Sequence, residues 1–351
     1  MQYSLKPLIS RLRYAAGTAM LFFATTAAAQ QRPHYTQYIL NTYIINPAVA
    51  GIENYTDVKL SHRHQWVNLD GAPVTTYLTI HAPLKKSDYG RVTPTGLRAE
   101  GENPRGEAYW LNYEAPPAHS GVGLTVLNDR AGVLNRFSAN ATFAYHLPVS
   151  VRTTLSMGVS AGLAQLSVQT SKMYFGSANP ADPVVVNNNE LNKLKPDVSA
   201  GLWLYSADWF AGAAFHRIIP ERTISSADTI KAQNGTWLPH TFITAGYRFA
   251  LSDDINLLPS VMMRYVKPMD LGIDVNAKIQ YRDLIWVGGG YRIEDGFNVM
   301  AGFNVSSTIN FGYAYDVATS PLNTVSRGTH EVLVGFVIGN GYGDTCPRNL
   351  W

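Results

Sequence analysis

A hydroxyl and an imidazole share one face of a strand-like stretch, as a Ser–His hydrolase would require. These residues are Ser138 and His146, within a segment where polar and apolar residues alternate. A nucleophile and its base must lie within hydrogen-bonding reach, whereas residues this far apart on one strand are out of contact. The sequence also has no Gly-x-Ser-x-Gly, no His-Glu-x-x-His and no glycine-rich phosphate loop. We therefore predict that the protein is not an enzyme and has no catalytic residue.

A second pair, His62 and His64, lies on one face of a strand and could ligate a metal ion. A protein metal site needs three or four ligands, and the sequence offers no third one nearby. Interfacial or interior histidines are the interpretation that we favour. The single cysteine, Cys346, excludes a disulfide or a thiolate metal site within one chain. No metal and no cofactor is predicted.

Charged residues recur on the polar faces of alternating segments, where they would line the interior of a barrel. The candidates for interior ion pairs are Arg136, Arg248, Arg264, Asp274, Lys278, Arg292, Asp316 and Glu331. A ring of one sign would indicate a selectivity filter or substrate track. The mixed signs favour a network that fills and stiffens a narrow interior, and we predict that Asp274 pairs with an arginine there.

The stretch Leu271–Tyr281 shows the element that would position such residues. Its apolar and polar residues alternate with a period of two, which indicates a strand with two unlike faces. Roughly 9–11 tilted residues cross a bilayer as β-structure. We predict that the apolar face meets lipid and the polar face a lumen.

Composition agrees with a membrane barrel. Charged residues make up 15% of the 351 residues, against about 25% in soluble proteins. Tyrosine and glycine are abundant, and Trp66, Trp203, Trp209 and Trp286 lie near strand ends, where we predict aromatic girdles. The net charge of +3, with no basic run after the leader, argues against nucleic acid as a partner.

Residues 1–29 have the order of a signal peptide. Lys6, Arg11 and Arg13 precede an apolar core, and Ala27-Ala28-Ala29 provides a small-residue cleavage pattern. We divide the rest into a periplasmic N-terminal segment (30–57), an outer-membrane barrel (58–339) and a periplasmic C-terminal tail (340–351). The N-terminal segment contains Asn46-Pro47, which breaks a helix, and we expect a plug in the barrel or a strap beneath it.

About 14 strands are predicted, an even number as closed barrels of this kind require. Most connections after even-numbered strands are short and several after odd-numbered strands are long, which places both termini in the periplasm. Lys85–Ser120 breaks this rule because it is long and follows the second strand. A missed strand pair around Tyr109–Tyr113 would give 16 strands instead.

Short sequence blocks along nearly all of the mature chain resemble the PorP/SprF family of the type IX secretion system. The strongest is Asn46-Pro47-Ala48-Val49-Ala50-Gly51. The others include Arg63-His64-Gln65-Trp66, His81-Ala82-Pro83-Leu84, Asn128-Asp129-Arg130-Ala131-Gly132, Ala144-Tyr145-His146-Leu147, Gly312-Tyr313-Ala314-Tyr315-Asp316 and Gly328-Thr329-His330-Glu331.

The resemblance implies an outer-membrane barrel of a secretion machine, linked in some cells to gliding motility and without enzyme activity. It implies contact with outer-membrane lipids, with a periplasmic ring lipoprotein and its partner subunits, and in some members with the C-terminal domain of a secreted adhesin. The partner-binding candidates are Asn46, Pro47, Ala48, Gly51, Tyr109 and Trp110, and Lys85–Ser120 and the tail are expected to contribute. The alternative is a porin or channel for small solutes.

Overall fold

The computed structural model describes residues 35–84, 113–169, 194–219, 238–266, 271–282, 284–293, 295–306 and 308–339. The predicted signal peptide, Tyr109, Trp110, Cys346 and the C-terminal tail lie outside these residues. Among those described, no helix is long and apolar enough to span a bilayer.

In the described residues, fifteen strand segments form one antiparallel sheet. They are β1 (Thr56–His64), β2 (Val74–Leu84), β3 (His119–Ala131), β4 (Leu134–Pro148), β5 (Thr154–Val168), β6 (Leu194–Tyr205), β7 (Trp209–His216), β8 (His240–Tyr247), β9 (Phe249–Ala250), β10 (Ile255–Tyr265), β11 (Gly272–Tyr281), β12 (Ile285–Arg292), β13 (Gly296–Asn304), β14 (Ile309–Ala318) and β15 (Thr329–Ile338).

The sheet closes on itself because β15 pairs with β1. The segments β8 and β9 are two parts of one strand interrupted at Arg248, and both pair with β10. The barrel therefore has 14 strands, as predicted. The 16-stranded alternative was wrong, because β2 pairs directly with β3 from Val74–Arg130 to Leu84–Ser120 and leaves no place for an inserted pair.

Alternation of residue type decides which side of the barrel each side chain faces. On β4, Phe137, Phe143 and Tyr145 are 40%, 50% and 42% exposed, whereas Ser138 and Thr142 are buried. On β11, Val275 and Ile279 face outward and the polar residues between them are buried. Exposed apolar side chains around a closed sheet form the lipid-facing surface of a transmembrane barrel.

The two ends of the barrel differ in their connections. We call the end where β1 begins and β15 ends the turn end; its connections include residues 149–153, 206–208, 251–254, 282–284 and 305–308, together with the long 85–118. The opposite end is the loop end, which carries the longer connections 65–73, 169–193, 217–239 and 319–328 and the short ones 132–133, 266–271 and 293–295. Short turns face the periplasm in outer-membrane barrels, so we expect the turn end on that side.

Residues Tyr35–Tyr55, which we call the plug segment, lie inside the barrel. Of the two arrangements that the sequence left open, this is the plug rather than the strap. The segment forms three 3₁₀ turns, Gln37–Ile39, Thr42–Ile44 and Pro47–Val49, and nearly all of its residues are buried. The Asn46 side chain accepts a hydrogen bond from the Ala48 N–H at 3.0 Å, and Pro47 occupies the first position of the last turn.

Two of the four tryptophans predicted in aromatic girdles face the interior instead. Trp203 is fully buried and stacks on Phe210 with ring centroids 4.7 Å apart. Trp286 packs against the apolar interior, and the Lys278 ammonium lies 5.7 Å from its ring centroid. The girdle prediction was wrong for these two, because inward-facing positions next to a buried segment also require large apolar side chains.

Candidate functional site

The plug segment begins near the loop end, within a cluster of buried charges. Arg63 donates to Thr36 Oγ1 at 2.9 Å, to Glu331 Oε2 at 3.0 Å and to Asp316 Oδ2 at 2.6 Å. Thr36 completes the network, since its N–H donates to Glu331 at 2.8 Å and its hydroxyl to Asp316 at 2.7 Å. One guanidinium therefore joins two strands and the plug, in the multidentate geometry that arginine favours. We call these four residues the loop-end cluster.

A second group of charges lies beside it on the barrel wall. Arg292 Nε donates to both oxygens of Asp274 at 3.1 Å, and its Nη1 donates to Asp295 at 3.0 Å. Asp274 and Arg292 are opposite one another on β11 and β12 and both are buried. The hydrogen bonds of this pair therefore join two neighbouring strands.

Polar side chains hold the middle of the plug segment against several strands. Asn41 donates to Thr79 at 2.8 Å and the Tyr43 hydroxyl donates to Thr142 at 2.8 Å. Asn276 donates to the Tyr38 hydroxyl at 2.6 Å. Apolar plug residues pack between these contacts against inward-facing wall residues; the cluster includes Ile39, Ile44, Ile45, Tyr77, Phe242 and Met300. The plug segment therefore contacts strands on opposite sides of the barrel.

Near the turn end, the wall holds the plug by its backbone carbonyls. Ser156 donates to the Ala48 carbonyl at 2.6 Å, and His146 Nε2 donates to the Ala50 carbonyl at 2.8 Å. His119 Nε2 lies 3.1 Å from the Gly51 carbonyl oxygen, and the His119 ring stacks parallel to that of His146, with ring centroids 4.5 Å apart. Because a carbonyl oxygen only accepts, His146 Nε2 carries a hydrogen. Both ring nitrogens of His119 lie near carbonyl oxygens, since its Nδ1 is 2.9 Å from the Pro117 carbonyl. We call Ser156, His119 and His146 the carbonyl clamp.

The plug backbone approaches the wall so closely near this clamp that only glycine fits. A Cβ atom at Gly158 would lie 2.5 Å from the Ala48 nitrogen and from the Pro47 carbonyl group. At Gly121, on β3, a Cβ would collide with the Ala50 carbonyl and with Gly51. These positions show that the wall is shaped to receive the plug backbone.

A cavity of about 60 Å³ remains beside the plug near the turn end, between the plug residue Leu40 and the end segments of several strands. Lys59, Arg248 and Lys278 line it. The plug lies against β2 to β7 at this end, so the cavity is on the opposite side, along β8 to β1. We call it the vestibule.

The structure places the sequence-predicted candidates as follows. Four of the partner-binding candidates, Asn46, Pro47, Ala48 and Gly51, are buried in the lumen, and Tyr109 and Trp110 lie outside the described residues. The predicted ion-pair candidates all line the barrel interior. Asp274 contacts Arg292, Asp316 and Glu331 contact Arg63, and Arg248 and Lys278 line the vestibule. Arg264 extends beside Gly272 on β11, and Arg136 is buried on β4.

Sequence reasoning missed the central member of the loop-end cluster, Arg63. The signal was present, because Arg63 lies between His62 and His64, and the alternation places it on the opposite face. His62 and His64 face outward, and His62 Nδ1 lies 2.9 Å from the Thr76 hydroxyl. In the described residues, no group of three or more histidine, cysteine or acidic side chains is arranged to hold a metal ion.

The closed 14-stranded sheet, its apolar outer surface and its filled lumen together define a transmembrane β-barrel with an internal plug. Residues 27–336 match the family model described as type IX secretion system membrane protein PorP/SprF. The chain belongs to this family and is an outer-membrane barrel of the type IX secretion system. Family and fold are those of a membrane barrel for secretion or transport.

No curated protein matches the sequence. Solved structures with a similar fold include the monoaromatic hydrocarbon channel CymD, with 12% identity, a TM-score of 0.47 and coverage of 85% of this chain and 92% of that one. The toluene transporter TbuX of Ralstonia pickettii has 11% identity, a TM-score of 0.47 and coverage of 85% and 93%. Omp33 of Acinetobacter baumannii has 9% identity, a TM-score of 0.45 and coverage of 82% and 100%.

Proposed function

We propose that this protein is a non-conducting accessory barrel of the type IX machinery, which binds periplasmic ring subunits at its turn end. The observation that supports this proposal most is the plug segment, which occupies the lumen and is held by contacts to both ends of the wall. A general porin needs a continuous aqueous path. We therefore expect the protein to act by binding partners at the surfaces of its two ends, and not by transporting solutes through the lumen.

The turn end is the proposed site of ring binding, because we expect it to face the periplasm and because it carries the connection 85–118. This connection contains Tyr109 and Trp110, which stay proposed contacts. Asn46, Pro47 and Ala48 are enclosed by the wall, so we propose that they act by holding the turn end in the shape that a partner recognises. Binding of a secreted adhesin and a part in gliding motility are further proposals that the family suggests.

Co-purification of the intact protein with its periplasmic partners in mild detergent tests this proposal. The informative variant lacks residues 88–112. The ladder between β2 and β3 runs from Val74–Arg130 to Leu84–Ser120, so the barrel should still form and still migrate as a heat-modifiable band. We expect recovery of the ring subunits to fall strongly.

The control shortens a long connection at the loop end, residues 169–193, by removing residues 172–191. Recovery of the ring subunits should then be unchanged. Equal recovery from both variants would remove the turn end as the binding site.

Conductance in planar bilayers separates the proposal from the porin alternative. We expect the native protein to show no large, steady conductance, because the plug segment fills the lumen. A large and steady open-channel current from the native protein would contradict the proposal and favour a channel for small solutes.

A further inference from the structure

A second cavity lies at the loop end, between Arg63 on β1 and inward-facing residues of β13 and β14. Its volume is about 20 Å³, which is close to the space that one buried water molecule needs. We call it the loop-end cavity. Asn298 and Asp316, which are opposite one another on β13 and β14, both line it. The cavity is therefore bordered by members of the loop-end cluster and by an asparagine of the barrel wall.

Three polar atoms on residues around this cavity have no hydrogen-bond partner within the described part of the chain. They are Nε of Arg63, Oδ1 of Asp316 and Oδ1 of Asn298, and all three are shielded from bulk solvent. Arg63 and Asn298 are only 2% and 7% exposed. A buried donor or acceptor that lacks a partner destabilises a fold, so such atoms nearly always have one, and it is often an ordered water molecule.

We propose that the loop-end cavity binds one structural water molecule, held by Arg63, Asp316 and Asn298. Two of the three atoms are acceptors and one is a donor, and a water molecule both donates two hydrogen bonds and accepts others. The water donates to Oδ1 of Asp316 and to Oδ1 of Asn298, and it accepts from Nε of Arg63. A metal cation does not match this set, because the donor belongs to a positively charged guanidinium group.

The bound water joins two groups of side chains that each contact the plug segment. One group is the loop-end cluster, which includes the plug residue Thr36. In the other group, Asn298 Nδ2 lies 3.5 Å from Asn276 Oδ1, and Asn276 donates to the hydroxyl of the plug residue Tyr38 at 2.6 Å. The water therefore makes these contacts parts of one network around the start of the plug, and Asn298 is a positioning residue within it.

Density in a high-resolution crystal structure of the full-length protein tests the proposal directly. We expect one peak at about 2.7–3.2 Å from each of the three atoms, with the height of an ordered water. Crystals soaked in rubidium or manganese chloride should show no anomalous signal at this peak, because these metals replace bound monovalent and divalent cations. Absence of the peak, or an anomalous signal at its position, overturns the assignment of a water molecule.

The variant Asn298→Leu provides a second test, measured by unfolding in urea. With the water bound, the change removes one of its acceptors and disturbs its bonds to Arg63 and Asp316, so the folding equilibrium constant should fall about tenfold. Without the water, the change removes a buried acceptor that has no partner, and a constant that stays the same or rises overturns the proposal.

The control is Asn128→Leu, which changes an outward-facing asparagine on β3. The folding equilibrium constant of this variant should differ from that of the native protein by less than about threefold. An equal fall in both variants overturns the role given to Asn298. If Asn298→Leu does not fold, the density in the native protein decides.

Discussion

The two ends of the plug segment are held by different kinds of interaction. In the loop-end cluster, Arg63 joins the plug residue Thr36 to carboxylates on two strands, and each contact involves a charged side chain. At the carbonyl clamp, the wall contacts the plug backbone through Ser156, His119 and His146, and glycine positions on the wall admit that backbone closely. One end therefore depends on charge and the other on shape.

This difference predicts how each end fails. Removing one member of a buried ion network leaves an uncompensated charge, which costs far more than a lost contact. Removing one hydrogen bond to a carbonyl costs little, because its neighbours keep the backbone in place. Added side-chain volume should instead destabilise the turn end more than the loop end, because the glycine-lined wall near the carbonyl clamp has no space for it. The loop end should thus be sensitive to charge deletion and the turn end to steric bulk.

The largest effect is expected for Arg63→Met. The change leaves Glu331 and Asp316 close together in a buried site without their shared cation, and we expect a loss of about 3–5 kcal/mol of unfolding free energy. Unfolding in urea, followed by heat-modifiable gel mobility, measures this. The control is Arg152→Met, because Arg152 and Asp208 form a half-exposed pair at 3.4 Å, and such a pair contributes about 0–1 kcal/mol. Equal losses in both variants would show that the loop-end cluster has no special importance.

The transmembrane strands could be predicted from the sequence because lipid and lumen impose a period of two. The strand predicted at Leu271–Tyr281, for example, is observed at Gly272–Tyr281. The 3₁₀ turns of the plug have no such period, so its path through the lumen could not be deduced. Its direction, from the loop end at Thr36 to the turn end at Tyr55, follows only from contacts across the closed barrel.

For a related reason, the sequence could not predict which charged residues pair with one another. Arg63 and Glu331 are 268 positions apart and meet only because β15 closes against β1. Alternation predicts that both face inward, but which inward residues meet depends on strand register and tilt. The prediction for Trp203 was wrong for a different reason. Its position near a strand end favoured an aromatic girdle, whereas the plug segment requires a large side chain at that position inside the barrel.

Steric bulk at the carbonyl clamp tests the other side of the comparison. Gly158→Leu places atoms where the plug backbone lies, so we expect the plug to be displaced. The unfolding free energy should fall by roughly 1–3 kcal/mol, and conductance in planar bilayers should increase. The control is Gly289→Leu on β12, where an added Cβ would be 3.4 Å from its nearest neighbour, an ordinary contact. A closed and fully stable Gly158→Leu protein would show that the wall does not hold the plug by shape.

The variant Asp274→Leu tests whether removing a charge from the wall lowers the unfolding free energy as much as removing Arg63. Arg292 keeps a second carboxylate partner, Asp295, at 3.0 Å. We therefore expect a smaller loss than for Arg63→Met, about 1–3 kcal/mol. We also expect no change in conductance, because the hydrogen bonds of Asp274 to Arg292 join two strands of the wall rather than the wall and the plug. Urea unfolding and planar-bilayer recording measure the two quantities. An increase in conductance would show that the wall pair also holds the plug.

The smallest effect is expected for Ser156→Ala at the carbonyl clamp. The change removes the 2.6 Å hydrogen bond to the Ala48 carbonyl and adds no volume, and a single neutral hydrogen bond contributes about 0.5–1.5 kcal/mol. His146 still donates to the Ala50 carbonyl two residues further along, so the plug should stay seated and the barrel closed. The control Ser167→Ala removes a longer bond, 3.3 Å to the Asn135 carbonyl, away from the plug. If the barrel opens in Ser156→Ala but not in Ser167→Ala, the turn end depends on a single hydrogen bond as strongly as the loop end depends on Arg63. That outcome would contradict the contrast between the two ends.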